Sequence, residues 1–251
     1  MYKYLSIDDI TFYLNYLESS LTYKATASNG MYILPERFLN ILTVDGVSES
    51  ILQKISNDVC LFLGIMTELP KIDLLSNKKT NTPGLYNGNI QQPKIIINSN
   101  SEYNNLNYLA ILIHEITHHY LSLRRIKFED TNSNEILTDL TAIYLGFGHI
   151  LQEGYSENEN VYLNFYLIFS TRTTIKSRIG YIKSLDIRNA LYIVNQKRGW
   201  PYNSILDAYK SISKKTINYS NDNNQELKRG LIAGGLIILF IVVVKVMSLY
   251  F

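Results

Sequence analysis

The fold is decided by the stretch Leu109-Ala110-Ile111-Leu112-Ile113-His114-Glu115-Ile116-Thr117-His118-His119-Tyr120. Its apolar residues are dense enough to predict a buried helix. His114 and His118 are four residues apart, so a helix places them on one face, where both imidazoles can bind one metal ion. Glu115 follows the first histidine and would lie beside that face, where it can take a proton from a water molecule. This arrangement is the physical content of the H-E-x-x-H pattern.

A packing role for these histidines is the alternative interpretation. A five-residue pattern with two free positions also arises by chance, and a helix can hold histidines for packing or solvent contact alone. However, three of the four histidines in the chain, His114, His118 and His119, fall in this one apolar helix. Because burying them without a partner costs free energy, the sequence favours a metal site.

A second predicted helix offers a third ligand, which a catalytic zinc site usually needs in addition to a water. This helix covers Asn134 to Leu145, and its candidate N-caps are Asn132, Ser133 and Asn134. Glu135 and Asp139 are four residues apart and share a face. The polar connection, residues 124–131, allows an antiparallel pair that brings this face against the histidines. The alternative is that both are surface acids near a helix start, where the helix dipole favours them.

At these residues the chain resembles the gluzincin metallopeptidases, whose pattern is HExxH followed on a later helix by ExxxD. Here His114-Glu115-x-x-His118 is followed by Glu135-x-x-x-Asp139, and the match covers about residues 84 to 148. The resemblance implies that Zn²⁺ is bound by His114, His118 and Glu135. It also implies that Glu115 is the general base and that Asp139 holds a ligand histidine in place. Only 16 residues separate His118 from Glu135, at the short end for this group, and no downstream histidine or tyrosine matches the transition-state stabiliser of the group.

A small β-sheet is predicted just ahead of the histidine helix. Thr82-Pro83-Gly84 is a turn signal, and it precedes the segment Leu85 to Ile90. The next segment, Lys94 to Asn98, is short, β-branched and bounded by Pro93, as is typical of a strand. Two interpretations of this pair stay open. Its edge either aligns an extended peptide substrate by strand addition, or it is a purely structural hairpin.

Three further capped helices are predicted, beginning at Ser6, at Ser48 or Ser50, and at Ser184. Gly64 is expected to end the second of them and Arg198-Gly199 the third. Gly146-Phe147-Gly148 is expected to break the helix that carries Glu135. These helices are interpreted as scaffold rather than as sites.

Composition excludes several classes of site and partner. The chain has 251 residues and a net charge of +2, and no basic run is interleaved with aromatics, so nucleic acid is not an expected partner. Cys60 is the only cysteine, so no intrachain disulfide or cysteine-based metal site is expected. Cys60 is interpreted as a small core residue. His149 is expected to be a surface or core histidine rather than a ligand.

The last part of the chain predicts a membrane anchor. Residues 211–229 are polar and indicate a linker, whereas Leu231 to Val244 contains no charged residue, and Lys245 alone interrupts the continuation to Phe251. Twenty-one helical residues span about 31 Å, enough for a bilayer core. Lys245 lies close enough to the far end to reach the interface. The preceding linker argues against the alternative of a core helix.

The charges that flank this segment predict its orientation. Four basic residues precede it within the range that sets topology: Lys214, Lys215, Lys228 and Arg229. The first residues of the chain show no apolar core or cleavage site of a secretory signal. We therefore expect a single-pass protein inserted by its tail, with the catalytic domain in the cytoplasm.

The sequence thus predicts a mainly helical α+β domain over residues 1–210, a polar linker over 211–229 and a transmembrane helix over 230–251. The expected function is a membrane-anchored zinc metallopeptidase that hydrolyses a peptide or protein substrate, with Glu115 as general base. The alternative belongs to another class. It is a membrane-tethered binding or scaffold protein whose zinc site is structural or catalytically silent.

Overall fold

The computed structural model describes residues 4–21, 30–76, 82–88, 92–101, 103–155 and 179–213. Its helices are α1 (Ile7–Ser20), α2 (Glu36–Val44), α3 (Glu49–Phe62), α4 (Asn105–Leu123), α5 (Thr131–Ala142), α6 (Gly148–Gly154), α7 (Ser184–Arg198) and α8 (Tyr202–Ser213). Its strands are β1 (Lys71–Leu75), β2 (Gly84–Asn87) and β3 (Lys94–Asn98). The predicted class, mainly helical α+β with a small sheet, is confirmed.

The three strands form one sheet in the order β1-β3-β2. The predicted pair is present, because β2 runs antiparallel to β3 with Leu85 opposite Ile96. β1 was not predicted, and it pairs in parallel with β3, where Ile72 lies opposite Ile95. Its backbone is also held from the helical layer, since the Ile72 N–H donates to the Gln53 side chain of α3 at 2.9 Å. β2 is therefore an edge strand of the described sheet.

Helix α4 is the centre of the helical layer. It contacts α3, α5, α6, β2 and β3, and nearly every residue from Asn107 to Leu121 is buried. A helix that is apolar on all sides gains free energy only when it is surrounded in this way. The dense apolar run around the histidines therefore explains why the candidate site lies in the core rather than on a surface helix.

Two of the predicted helix starts are correct. The Asp9 N–H donates to Ser6 Oγ at 3.0 Å and the Ser6 N–H donates to the Asp9 carboxylate at 2.9 Å, which is a capping box. Of the two candidates for α3, Ser48 is the cap. Gly64, just beyond α3, has φ +72°, the left-handed conformation typical of a residue that ends a helix.

Two other predicted caps are wrong by a few residues. Helix α5 begins at Thr131, and its cap is Asp130, whose carboxylate accepts the Ser133 N–H at 2.8 Å. Ser184 is the first residue of α7 rather than its cap. The N-cap position is Lys183, whose N–H donates to the Asp186 carboxylate at 3.0 Å. In both cases an aspartate carboxylate accepts a backbone N–H at the helix start in place of the predicted residue.

The break predicted at Gly146-Phe147-Gly148 coincides with the end of a π-helical turn, Ile143–Phe147, that follows α5. Gly146 in this turn has φ +103°, and a Cβ there would lie 3.0 Å from the Gly30 carbonyl oxygen. Helix α6 then packs so closely against α4 that a Cβ on Gly154 would clash with the Cβ of Ala110. This close packing sets Tyr155, the next residue, beside His114.

The remaining expectations concern the core and the C-terminus. Cys60 and His149 are both fully buried. Helix α8 continues to Ser213, so it extends into the predicted linker. Among the described residues, no helix is long and apolar enough to cross a membrane. The rest of the predicted linker and the predicted transmembrane helix, residues 230–251, lie outside the described residues.

Candidate metal centre

Helices α4 and α5 bring the predicted site residues together. His114 of α4 contacts Asp139 of α5, whereas His118, one turn later in α4, contacts Thr138 and Glu135, which come earlier in α5. The contacts run in opposite directions along the two helices, so the pair is antiparallel. The short connection between the helices, residues 124–130, fits this arrangement.

Three electron-pair donors converge between the helices. His114 Nε2 lies 3.1 Å from His118 Nε2, and the Oε2 atom of Glu135 lies 3.0 Å from the first nitrogen and 3.1 Å from the second. These three residues form the only group of histidines, cysteines or acids in the described chain that could hold a metal ion. His114 is buried, and the other two are partly exposed.

The tautomer of His114 follows from its other nitrogen. Nδ1 lies 2.8 Å from the Oδ1 atom of Asp139, which has no exposed surface. An ionised carboxylate can only accept, so the Nδ1 atom must carry the proton. In the neutral ring, Nε2 then presents its lone pair to Glu135 and His118.

The tautomer of His118 follows in the same way from Thr138. The Thr138 hydroxyl donates its hydrogen to the Asn134 carbonyl oxygen at 2.8 Å. It therefore accepts from His118 Nδ1, which lies 3.2 Å away. The proton is again on Nδ1, and Nε2 is again a lone pair directed between the helices.

With both rings neutral, three lone pairs lie at hydrogen-bond distance, and a cation between these atoms would offset their mutual repulsion. Ligand atoms about 2.0 to 2.1 Å from a tetrahedral zinc ion are about 3.3 Å apart. The observed separations of 3.0 to 3.1 Å need an outward shift of only a few tenths of an ångström. Two imidazoles and one carboxylate are also a usual zinc ligand set. The residues fit zinc.

A proton is the alternative occupant of the same position. Burial alone lowers the pKa of His114, but the charge of Asp139 and the hydrogen bonds to Asp139 and Glu135 outweigh it and raise the pKa to about 10. Burial raises the pKa of Glu135, but hydrogen bonds from His114 and His118 lower it to about 2. The metal-free cluster therefore holds a proton, which a metal ion has to displace.

Asp139 is held by four donors. Its Oδ1 atom accepts from His114 Nδ1 and from the Tyr155 hydroxyl, the latter at 2.6 Å. Its Oδ2 atom accepts the backbone N–H groups of Tyr181 at 2.9 Å and Ile182 at 3.2 Å. Four donors satisfy both oxygens of this fully buried side chain. Asp139 is therefore unlike the surface acid of the alternative interpretation.

Glu115 lies beside the cluster and is only 5% exposed. Burial raises the pKa of Glu115, and the charges of His114 and His118 and a hydrogen bond from the Tyr86 backbone offset only part of this shift. A Cβ on Gly84 would lie 2.5 Å from its Oε1 atom. The carboxylate thus occupies space that only a glycine in β2 leaves free.

A cavity of about 190 Å³ opens onto this carboxylate. Its lining includes His114, Glu115, Gly84, Tyr155 and Tyr181. The Tyr181 ring stacks on the imidazole of His114, with centroids 5.5 Å apart and planes inclined by 21°. A small molecule or peptide group in this cavity would touch the general-base candidate and the first histidine at once.

Several residues of this site were not predicted from the sequence. Thr138 was not singled out, although its position three residues after Glu135 places it on the same helix face. Tyr155 comes from a segment for which the sequence shows no pattern that connects it to the motif. Tyr181 opens a stretch, Tyr181-Ile182-x-Ser184, that resembles the segment after the metal helices of small helical metallopeptidases, but its contact with His114 was not predicted. His119 belongs to a different environment, where its Nδ1 atom lies 3.0 Å from the Tyr86 hydroxyl.

Comparison with known proteins found no matching protein-family model, no matching curated protein and no matching solved structure. Any function assigned to the chain therefore depends on its own residues and their geometry.

Proposed function

We propose that the chain is a zinc-dependent metallopeptidase of gluzincin type. The observation that carries the proposal is the convergence of three lone pairs, from His114, His118 and Glu135, beside a buried glutamate on a cavity wall. A purely structural zinc site usually has four protein ligands. Three protein ligands next to a cavity leave a position for water and substrate, as a catalytic site requires.

Glu115 is the general base in this proposal. Zinc, when bound, polarises the scissile carbonyl group and lowers the pKa of water to about 7. Glu115 takes the proton of the attacking water and passes it to the leaving amine. Burial raises the pKa of its carboxyl group, so it binds this proton more readily than an exposed glutamate does. The hydrogen bond from the Tyr86 backbone keeps the carboxylate directed at the cavity.

His114 and His118 are held as ligands by partners on their other nitrogens. Asp139 fixes the tautomer and ring plane of His114, and Thr138 does the same for His118. A ligand whose free N–H is bound in this way loses little conformational entropy when the metal binds. Asp139 is therefore proposed as a supporting residue and not as a ligand.

The substrate is proposed to be a peptide in extended conformation. β2 is an edge strand of the described sheet, and its Gly84 lines the cavity next to Glu115. An edge strand offers unpaired backbone groups to an added strand. Of the two interpretations left open by the sequence, this position beside the carboxylate favours substrate alignment over a purely structural hairpin.

Residues 230–251 are proposed to anchor the enzyme in a membrane, with the catalytic domain on the cytoplasmic side. The support is the uncharged run Leu231 to Val244 and the basic residues that precede it. Protease added outside intact cells should leave the catalytic domain undigested, as judged by immunoblotting. Digestion of the domain in intact cells would contradict the proposed orientation.

The function is tested with the full-length chain in detergent, by metal analysis and by mass spectrometry of a peptide library after incubation. We expect about one zinc per chain and cleavage of peptides. The Glu115→Gln variant should bind zinc equally and cleave about 10²- to 10⁴-fold more slowly, because the amide cannot accept a proton. Zinc binding without any cleavage by the wild type would favour the alternative, a membrane-tethered binding or scaffold protein with a silent site.

A further inference from the structure

A second cavity, of about 580 Å³, lies on the other side of the three converging side chains. The first cavity is lined by His114 and Glu115, whereas the second is lined by His118 and Glu135. Strand β2 borders both, because Gly84 lines the first cavity and Tyr86 lines the second. Residues two apart in a strand lie on the same face. An extended peptide beside β2 would therefore place two side chains that are two residues apart in the two cavities, with the scissile bond between them.

The second cavity is basic. Its lining includes Arg125 and Lys127, both exposed, together with the polar residues Ser122, Thr131 and Asn134. The acidic residue of this lining is Glu135, whose carboxylate is already directed at the two histidine nitrogens. Within the described residues, neither Arg125 nor Lys127 forms an ion pair. Two cations beside a metal ion held by His118 and Glu135 would create a positive potential over this end of the cleft.

The backbone at Arg125 gives an independent reason to assign it a role. Arg125 follows the end of α4 and has φ +56°, the left-handed conformation in which glycine is the usual residue. Its N–H donates to the Ser122 carbonyl oxygen at 3.0 Å, which closes the last turn of the helix. A side chain in this conformation is unfavourable by roughly 1 kcal/mol. An arginine kept where glycine would be more stable points to a function for its side chain.

We propose that this cavity binds a carboxylate of the substrate, so that the enzyme cleaves peptides next to an acidic group. The guanidinium of Arg125 can donate two parallel hydrogen bonds to a carboxylate, and Lys127 adds a second charge. The acidic group is either an aspartate or glutamate side chain or the C-terminal carboxylate of the peptide. This inference rests on the proposed metallopeptidase function and names the substrate class of the same site.

The first experiment uses the full-length, zinc-loaded chain and a peptide library that contains acidic and neutral residues in equal amounts. We expect aspartate or glutamate to be enriched at one position that flanks the cleaved bond. Synthetic pairs then distinguish the two sources of carboxylate, since one pair differs by glutamate against glutamine and the other by a free against an amidated C-terminus. The preferred member of one pair should have a kcat/KM about tenfold higher than its neutral partner.

The variants Arg125→Gly and Lys127→Ala test the residues. Arg125→Gly should bind zinc as the wild type does and should unfold at the same temperature or a higher one, because glycine relieves the left-handed backbone. Its kcat/KM for the acidic peptide should fall to about that for the neutral peptide. Lys71→Ala is the matched control, since it removes one positive charge on β1, at the opposite edge of the sheet from β2. The control should retain the preference.

The outcomes separate this inference from the proposed function. If the wild type cleaves peptides without preference for an acidic group, the inference is wrong and the metallopeptidase function stands. The inference is also wrong if Arg125→Gly and Lys127→Ala both keep the full preference. If the zinc-loaded wild type cleaves no peptide, the proposed function fails and the substrate assignment fails with it.

Discussion

At the scale of single residues, the role of each side chain in the site follows from the hydrogen-bond partner of its second nitrogen or oxygen atom. The two carboxylates of α5 differ in this respect. Glu135 directs an oxygen at both histidine Nε2 atoms, whereas both oxygens of Asp139 are occupied by donors. The resemblance to gluzincins assigns them the same two roles that this geometry supports, a ligand and a supporting residue.

Unequal effects of mutation are therefore expected at these two positions. Glu135→Ala removes a proposed ligand and should leave the site largely empty. Asp139→Asn should keep a recognisable site with zinc affinity reduced by about 10- to 100-fold, because the amide no longer fixes the tautomer of His114. Zinc titration of both variants against the wild type is the measurement. A fully loaded Glu135→Ala protein beside an empty Asp139→Asn protein would reverse the assignment.

Thr138 provides a second prediction at this scale. Its hydroxyl oxygen accepts the His118 Nδ1 proton, and valine has almost the same shape without an acceptor. Thr138→Val should lower the zinc affinity by about tenfold. Thr138→Ser is the matched control, because it keeps the acceptor and should bind zinc nearly as the wild type does. Equal affinities in the valine and serine variants would show that the hydroxyl does not support His118.

At the scale of helices and strands, the position of the sheet relative to α4 controls access to Glu115. A Cβ on Gly84 would lie 2.5 Å from the Glu115 carboxylate and 2.8 Å from Ile111 Cγ2. Gly84→Ala should therefore displace β2 or the carboxylate and reduce peptide cleavage by at least tenfold, with zinc still bound. Gly88→Ala is the control, since its Cβ would have only an ordinary contact of 3.5 Å with Tyr86. Unchanged cleavage by Gly84→Ala would contradict the close approach.

The helices and strands also differ in how well they could be predicted from the sequence. Helix α4, the antiparallel α5 and the β2–β3 pair were predictable, because each is specified by residues close together in the chain. β1 was missed because a single β-branched residue, Ile72, marks it and its pairing with β3 is not local. The hydrogen-bond donors around Asp139 were not predicted either, because they too are distant from it in the sequence. Its donors at Tyr181 and Ile182 follow it by more than 40 residues, and hydrogen bonds from backbone N–H groups have no sequence signature.

For the molecule as a whole, a buried histidine outside the site links stability to pH. His149 is fully buried, and the hydrogen bond from its ring to the Gly146 backbone offsets only part of the effect of burial. Burial lowers the pKa of His149 to about 3, so the ring stays neutral in the folded chain throughout the physiological range. An unfolded histidine titrates near pH 6.5. Between these two values the unfolded chain binds one more proton than the folded chain.

Because the unfolded chain binds the extra proton, folding stability falls as the solution becomes more acidic. The contribution is fully present above about pH 6.5 and is lost progressively toward pH 3, by about 1.4 kcal/mol per pH unit. Between pH 6.5 and pH 5 the free energy of unfolding of the wild type should therefore fall by about 2 kcal/mol through His149 alone. The metal centre also titrates, so the informative quantity is the difference between the wild type and a variant at each pH.

His149→Leu should remove this part of the pH dependence. Denaturant unfolding at several values between pH 7 and pH 5 should show the free-energy difference between variant and wild type moving by about 2 kcal/mol in favour of the variant as the pH falls. The other histidines all lie in α4 and cannot serve as controls. His149→Gln is used instead, because it is polar but does not titrate, and it should show the same change of slope whatever its absolute stability. Parallel curves for all three proteins would mean that His149 is not buried as a neutral ring.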